Sequence, residues 1–308
     1  MTRTPAHRAI ASSLLAAVLT VSTLAGCAGR PIAGTAAPTT AGPGTTVITT
    51  PPTVVSTVRT ANRPAQLTGP SRSAQPLLVV NTRPTFYCST AGTVIPTLVV
   101  YDDGVVLSVD GVGAHCDKVP QVGLGWIDPA DARAVLDSYF ASPESRVDMS
   151  TLNVTDMPYS SIDYHSSNGP RSIRVYALGA VDDDYVPWEQ RAARRALGAL
   201  LDTLGSGVRD DHWKPDRVVI SASGDRPSHP TDPDGALPRW PIPLTPGVRR
   251  VIDGSGGDEA CTMITGSDAT KVLAALKDRA AEAGWMVDGK QRWFPIGIVL
   301  PTFPPCEH

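Results

Sequence analysis

The chain has 308 residues, with 27 Lys and Arg against 30 Asp and Glu, for a formal charge of −3. That balance lacks the concentrated basic face on which nucleic-acid binding rests, so nucleic acid is excluded as a partner. At 42% hydrophobic residues the chain can build a sizeable core, which excludes a wholly disordered polypeptide.

The first 26 residues have the three parts of an export signal. Arg3, His7 and Arg8 form a basic start, an apolar segment runs from Ala9 to about Ala25, and small residues Ala25 and Gly26 precede Cys27. The apolar part is short for a spanning helix, and no stop-transfer charge follows it. "LAGC" at residues 24–27 resembles the lipobox of bacterial lipoprotein signals. That resemblance implies diacylglycerol on the Cys27 thiol and cleavage just before it. The mature chain then begins at Cys27, on the extracytoplasmic face of the cell membrane. Losing residues 1–26 removes Arg3 and Arg8 and takes the formal charge from −3 to −5.

Residues 27–76 form the next segment. They are low in complexity and rich in Thr, Pro, Gly and Ser, with no hydrophobic periodicity. This composition predicts a disordered tether. A flexible chain of that length reaches on the order of 40 Å, enough to hold a folded module away from the bilayer.

Order is expected from Leu77. "PTLVVYDDGVVLSVDG" predicts a hairpin turning at Asp103-Gly104. "DPADARAVLDSYF" predicts a helix with Asp128 as N-cap and Pro129 at its first position. "SSIDYHSSNGPRSIRVYAL" predicts a second hairpin turning at Asn168-Gly169. "VPWEQRAARRALGALLDTLG" predicts a helix with a stripe of Ala193, Leu197, Leu200, Leu201 and Leu204 and a cap at Gly205. "DRVVISAS" predicts a strand, and the proline-rich residues 225–247 a connection. "GSDATKVLAALKDRAAEAG" predicts a helix capped by Ser267, with Ala269, Val272, Leu273, Leu276 and Ala280 inward. "WMVDGKQRWFPIGIVLPT" predicts a last hairpin near Asp288-Gly289. The expectation is an α+β fold of antiparallel hairpins packed with amphipathic helices, in two subdomains. Residues 77–224 would run ββαββαβ and residues 248–308 αββ.

Cys88, Cys116, Cys261 and Cys306 remain beside Cys27. An even count outside the cytoplasm predicts disulfides, and four cysteines allow three pairings. Cys88–Cys116 with Cys261–Cys306 keeps each bond inside one subdomain. Either crosslink would be worth about 3–4 kcal/mol on the loop-entropy model.

No motif announces catalysis. Ser255 in "DGSGGDEA" lacks a GxSxG setting, Gly111 and Gly113 lack the third glycine of a dinucleotide fingerprint, and HExxH and phosphate-loop patterns are missing. His165, beside Tyr164, is the one histidine with a conceivable role as a general base; surface exposure is the plainer reading. Among His115, His165, His212, His229 and His308 none has a partner at metal-ligand spacing. Asp182-Asp183-Asp184 stands ahead of a helix, where its charge complements the dipole; calcium is the sharper alternative. Asp232 and Asp234 read as turn formers, and Asp102-Asp103 as part of its hairpin. The six tryptophans, Trp126, Trp188, Trp213, Trp240, Trp285 and Trp293, read first as core and second as stacking platforms for wall sugars.

"PTLVVYDDGVVL", "VTDMPYSSIDYHSSNGPRSIRVYALG", "RWPIPL" and "ITGSDATKVLAALKD" with the terminal "GWMVDGKQRWFPIGIVLPTFPPC" resemble stretches of secreted actinobacterial lipoproteins of unknown function. The likeness covers most of residues 85–308. Such proteins often end in an Arg-Pro-Leu-Leu-Pro-like run where this chain has Gly297-Ile298-Val299-Leu300-Pro301. The resemblance implies a lipid-anchored envelope protein and supplies no catalytic residue or cofactor. The leading expectation is therefore a binding module for an envelope protein or cell-wall component, without catalysis. A wall hydrolase with a site assembled from distant residues, or a carrier of a small ligand or metal, are the alternatives.

Overall fold

A computed structural model describes residues 63–83, 95–110, 120–222, 237–253, 260–276 and 284–303. Its centre is an antiparallel meander: β1 (Pro76–Arg83), β2 (Leu98–Tyr101), β3 (Val105–Asp110) and β4 (Gln121–Trp126). The hairpin expected at Asp103-Gly104 is β2–β3, and Gly104 takes φ +86 at the end of its three-residue loop. Helix α1 (Pro129–Ala141) then crosses one face of the sheet. Asp128 caps it as expected, its Oδ1 accepting from the Ala130 N–H at 2.9 Å, and such a cap is worth about 1 kcal/mol.

The hairpin β5 (Tyr159–Ser166) and β6 (Gly169–Tyr176) pairs with β1 on the far side. Its two-residue turn is Ser167-Asn168, one position earlier than expected, because Ser166 pairs with Gly169. Helix α2 (Trp188–Gly205) returns across the same face and delivers β7 (Val208–His212) beside β4. The sheet order is β6-β5-β1-β2-β3-β4-β7. Gly205 is the last helical residue of α2 and not its cap; Ser206 caps it, in right-handed backbone.

After β7 the chain builds a second, smaller group of elements. β8 (Arg217–Ser221), α3 (Pro246–Ile252), β9 (Cys261–Thr265), α4 (Gly266–Leu276), β10 (Gly284–Val287), β11 (Lys290–Trp293) and β12 (Ile296–Ile298) follow in order. β8 pairs with β9 and β12 in a three-stranded sheet, so this strand sides with the C-terminal elements rather than the first subdomain. The proline-rich connection ends sooner than expected: Thr245 accepts from the Val248 N–H and starts α3 with Pro246 in its first turn. Ser267 lies inside α4, which begins at Gly266 directly after β9, so it is not the cap. The turn at Asp288-Gly289 is as expected, both residues having positive φ (47° and 75°), as a tight hairpin demands. Beyond it, β12 leaves the hairpin to pair with β8.

The burial pattern explains the residue types. β2 reads LVVY, apolar throughout, because both faces of the meander are covered. On one face Leu78, Val80, Val100 and Val106 meet α1 and α2; on the other Val79, Val99, Tyr101 and Leu107 meet Trp213, Ile298 and Leu300. β5 alternates instead, with Ser160, Ile162 and Tyr164 buried and Tyr159 and His165 exposed. A third cluster gathers Val218, Ile220, Val248, Val251, Val272, Trp285 and Phe294 in the C-terminal group.

Packing also starts ahead of Leu77. Ala74 is buried, Leu67 packs beneath the sheet, and Gly69 lies against the Trp213 indole. The Asp102 and Asp103 carboxylates accept from the Gln75 and Ser71 N–H groups at 2.9 and 2.7 Å, which docks this segment on the β2–β3 turn.

Candidate functional site

The residues singled out in the sequence do not converge. Cys27, Cys88, Cys116 and Cys306 lie outside the described residues, as do Gly111, Gly113, His115, His229, Asp232, Asp234, Ser255 and His308. Cys261, at the start of β9, is disulfide-bonded and packs against Val219 and Val299. His165 is exposed on β5. Ser161 and Asp163 share its side of the strand. Asp163 accepts from Ser161 and Ser172 at 3.4 and 2.6 Å, so the hydroxyls point to the carboxylate and not to the imidazole. Among the described residues no three of His, Cys, Asp and Glu gather as metal ligands. No described helix is long and apolar enough to cross a membrane.

Tryptophan divides sharply. Trp126, Trp213 and Trp285 are buried, while Trp240 and Trp293 are half-buried. Trp188 is 76% exposed, and Tyr185, three residues earlier, is 63% exposed. The cause is local. Tyr185 ends a short 3-10 turn, Asp183–Tyr185, and Val186 then plugs the core. Trp188, first in α2, sits nine residues before buried Leu197, roughly 180° around the helix at 100° per residue. It therefore lands on the solvent side. Arg194, 8% exposed, donates to the Tyr176 and Met149 carbonyls at 2.8 and 3.0 Å and ties α2 to the end of β6. At that same end the half-exposed Tyr159 packs on the Tyr176 ring at 4.6 Å.

Around the two exposed rings stand Asp182, Asp183, Asp184 and Glu189, all exposed. Asp183 pairs with Arg195 at 3.2 Å. Asp182 stands just before the 3-10 turn and Asp183 and Asp184 lie within it, so none of them opens α2, whose own first-turn acid is Glu189. Tyr185 and Trp188 thus stand in solvent three residues apart in the chain, contributing no core.

A second feature is a cleft of about 340 Å³ between the β10–β11 hairpin and residues 239–244. Arg239, Trp240, Ile242, Leu244, Met286 and the Asp288-Gly289 turn line it. The stretch is held against β10 by two backbone bonds, Trp240 N–H to the Met286 carbonyl at 3.0 Å and Met286 N–H to the Pro238 carbonyl at 2.7 Å. The Trp240 ring stands edge-on to Trp285 and Phe294, each 5.1 Å away.

Comparison with known proteins adds no relative: no protein-family model, no curated protein and no solved structure matches the chain.

Proposed function

We propose that the chain is a lipid-anchored, extracytoplasmic binding module of the cell envelope, held at the membrane through Cys27 and acting by contact rather than by catalysis. The observation that carries this reading is the exposed pair Tyr185 and Trp188 at the start of α2. Large aromatic rings dominate binding energetics where they become buried, and Trp and Tyr are enriched among the residues that matter most. The partner is an envelope protein or a cell-wall component, reached from the membrane by the tether that follows Cys27 and ends ahead of the packed segment at Leu67.

Crosslinking in intact producer cells, followed by mass spectrometry, tests the surface. The wild-type chain should capture one dominant partner, and Trp188→Ala with Tyr185→Ala should lose it while keeping its melting temperature. Equal capture by both proteins would remove the aromatic pair from the interface. Capture of nothing would sink the module reading. The anchor is tested separately: Cys27→Ser should abolish membrane retention of a mature chain, and a cleaved, membrane-held Cys27→Ser protein would refute lipidation.

A further inference from the structure

The outer face of the sheet β12-β8-β9 is buried beyond what its described neighbours account for. Val219 pairs with Gly297 on one side and Met263 on the other, so these three share a face, with Val299 and Cys261 two positions away along their strands. Val219 is fully buried and Val299 nearly so, yet among the described residues their hydrophobic cluster adds only Cys261. The chain leaving β12 turns back at once. The Phe303 N–H donates to the Leu300 carbonyl at 3.3 Å, with Pro301 second in the turn and Thr302 third at φ +67. Tyr101 fixes that turn, its hydroxyl donating to the Pro301 carbonyl at 2.8 Å. Pro304, Pro305 and Cys306 come next in the sequence.

Cys261 is disulfide-bonded, and the strand register narrows the choice of its partner. The Val299 N–H donates to the Arg217 carbonyl at 3.2 Å, while Cys261 pairs with Ser221, four residues along β8. Four residues along and two strand spacings across set Val299 and Cys261 about 16 Å apart, on a diagonal that passes over Val219. Three residues beyond Phe303 extend about 10 Å, and a disulfide adds about 5.5 Å between Cα atoms. That reach matches the diagonal. Cys88 and Cys116 belong to the β1–β2 and β3–β4 connections, which leave one end of the meander together, since Leu98 pairs with Ser108 and Asp110 with Gln121. A lipidated Cys27 has no thiol to give. We propose that Cys261 is bonded to Cys306, so that the C-terminal tail is latched diagonally across β8 with Pro304 and Pro305 over Val219. Closing the bond takes two protons and two electrons from the two thiols; a disulfide oxidant accepts them by exchange and leaves as a dithiol.

The native protein is tested with its free thiols alkylated before unfolding, then digested with trypsin without reduction. Cleavage after Arg250, Lys271 and Arg292 places Cys261 in peptide 251–271 and Cys306 in peptide 293–308. The two should run as one linked mass that separates on reduction. Cys261 linked instead to a peptide holding Cys88 or Cys116, or an alkylated Cys306, would overturn the assignment. The latch itself is tested by variants. Cys306→Ser should lower the melting temperature by about 5–15 °C and speed amide exchange along β12. Cys261→Ser with Cys306→Ser should melt no lower than Cys261→Ser alone, because both remove one bond. A Cys306→Ser protein that melts with wild type, or losses that add in the double variant, would show that no latch joins the two residues.

Discussion

Three buried tyrosines set how this protein responds to alkali. The Tyr164 hydroxyl donates to Asp137 Oδ1 at 2.6 Å, and burial first, then that carboxylate, raises its pKa well above the ordinary 10.0. Burial likewise raises Tyr101, whose hydroxyl donates to the Pro301 carbonyl at 2.8 Å, and pushes Tyr139 up to about 12. Below pH 10 these phenols are protonated whether the chain is folded or not, and their contribution to stability is fully present. Above pH 10 the unfolded phenols ionise first, so stability should fall as pH rises toward 12. Tyrosinate absorbance should therefore appear together with loss of the fold. Reversible titration of these phenols near pH 10 in a chain that stays folded would contradict this. At this scale the sequence was partly legible. Tyr139 falls on one helical face with Ala132, Val135 and Leu136 by its spacing, whereas Tyr164 was legible only as the strand neighbour of His165, and its burial came from the packing. That Asp137 would meet Tyr164 was not visible, because the two are 27 residues apart and brought together by packing α1 on the sheet.

The elements show which glycines are structural. β4 reads QVGLGW, and a Cβ on Gly123 would come 2.6 Å from Val208 Cγ1, while one on Gly207 would come 2.8 Å from the Trp126 carbonyl. Gly125 faces the Gly207 backbone at the same crossing. β7 can lie on β4 only because no side chains intervene. Gly125→Ala should cost about 1–3 kcal/mol and raise amide exchange along β7. Gly198, inside α2 with nothing near its Cβ position, is the contrast: Gly198→Ala should stabilise by about 0.5–1 kcal/mol. Matching melts for wild type and Gly125→Ala would refute the close approach. The hairpins and long helices were readable because turns, caps and stripes are local signals. β1, β4, β7, β9 and β12 were not, since short runs such as CTMIT and IGI carry no period and become strands only when a neighbour supplies hydrogen bonds.

Across the whole molecule, the cluster under the seven-stranded sheet takes Val99 and Leu107 from the meander and Ile298 and Leu300 from the C-terminal stretch. Leu273 of α4 packs on this cluster and on the one around Trp285. The described residues fall in one compact unit by their contacts. A shared core predicts a single cooperative melt, with calorimetric and van't Hoff enthalpies in agreement. Leu300→Ala should lower that one transition by about 2–5 kcal/mol rather than split it. Two resolved transitions would show instead that the two groups of elements unfold independently.

Local chemistry was enough to read an α+β chain with its main hairpins and helices, because capping, turn formation and amphipathic spacing act over a few residues. It was also enough to place the expectation of an export signal and a lipid anchor on residues 1–27, which the structure does not describe. Neither the exposed pair at Tyr185 and Trp188 nor the cleft at Arg239 could be read that way. Whether a tryptophan is core or surface depends on which side of α2 the sheet occupies, and a cleft exists only once a proline-rich stretch and a hairpin distant in the chain lie side by side. Burial and proximity are properties of packed elements, so these sites became visible only in three dimensions.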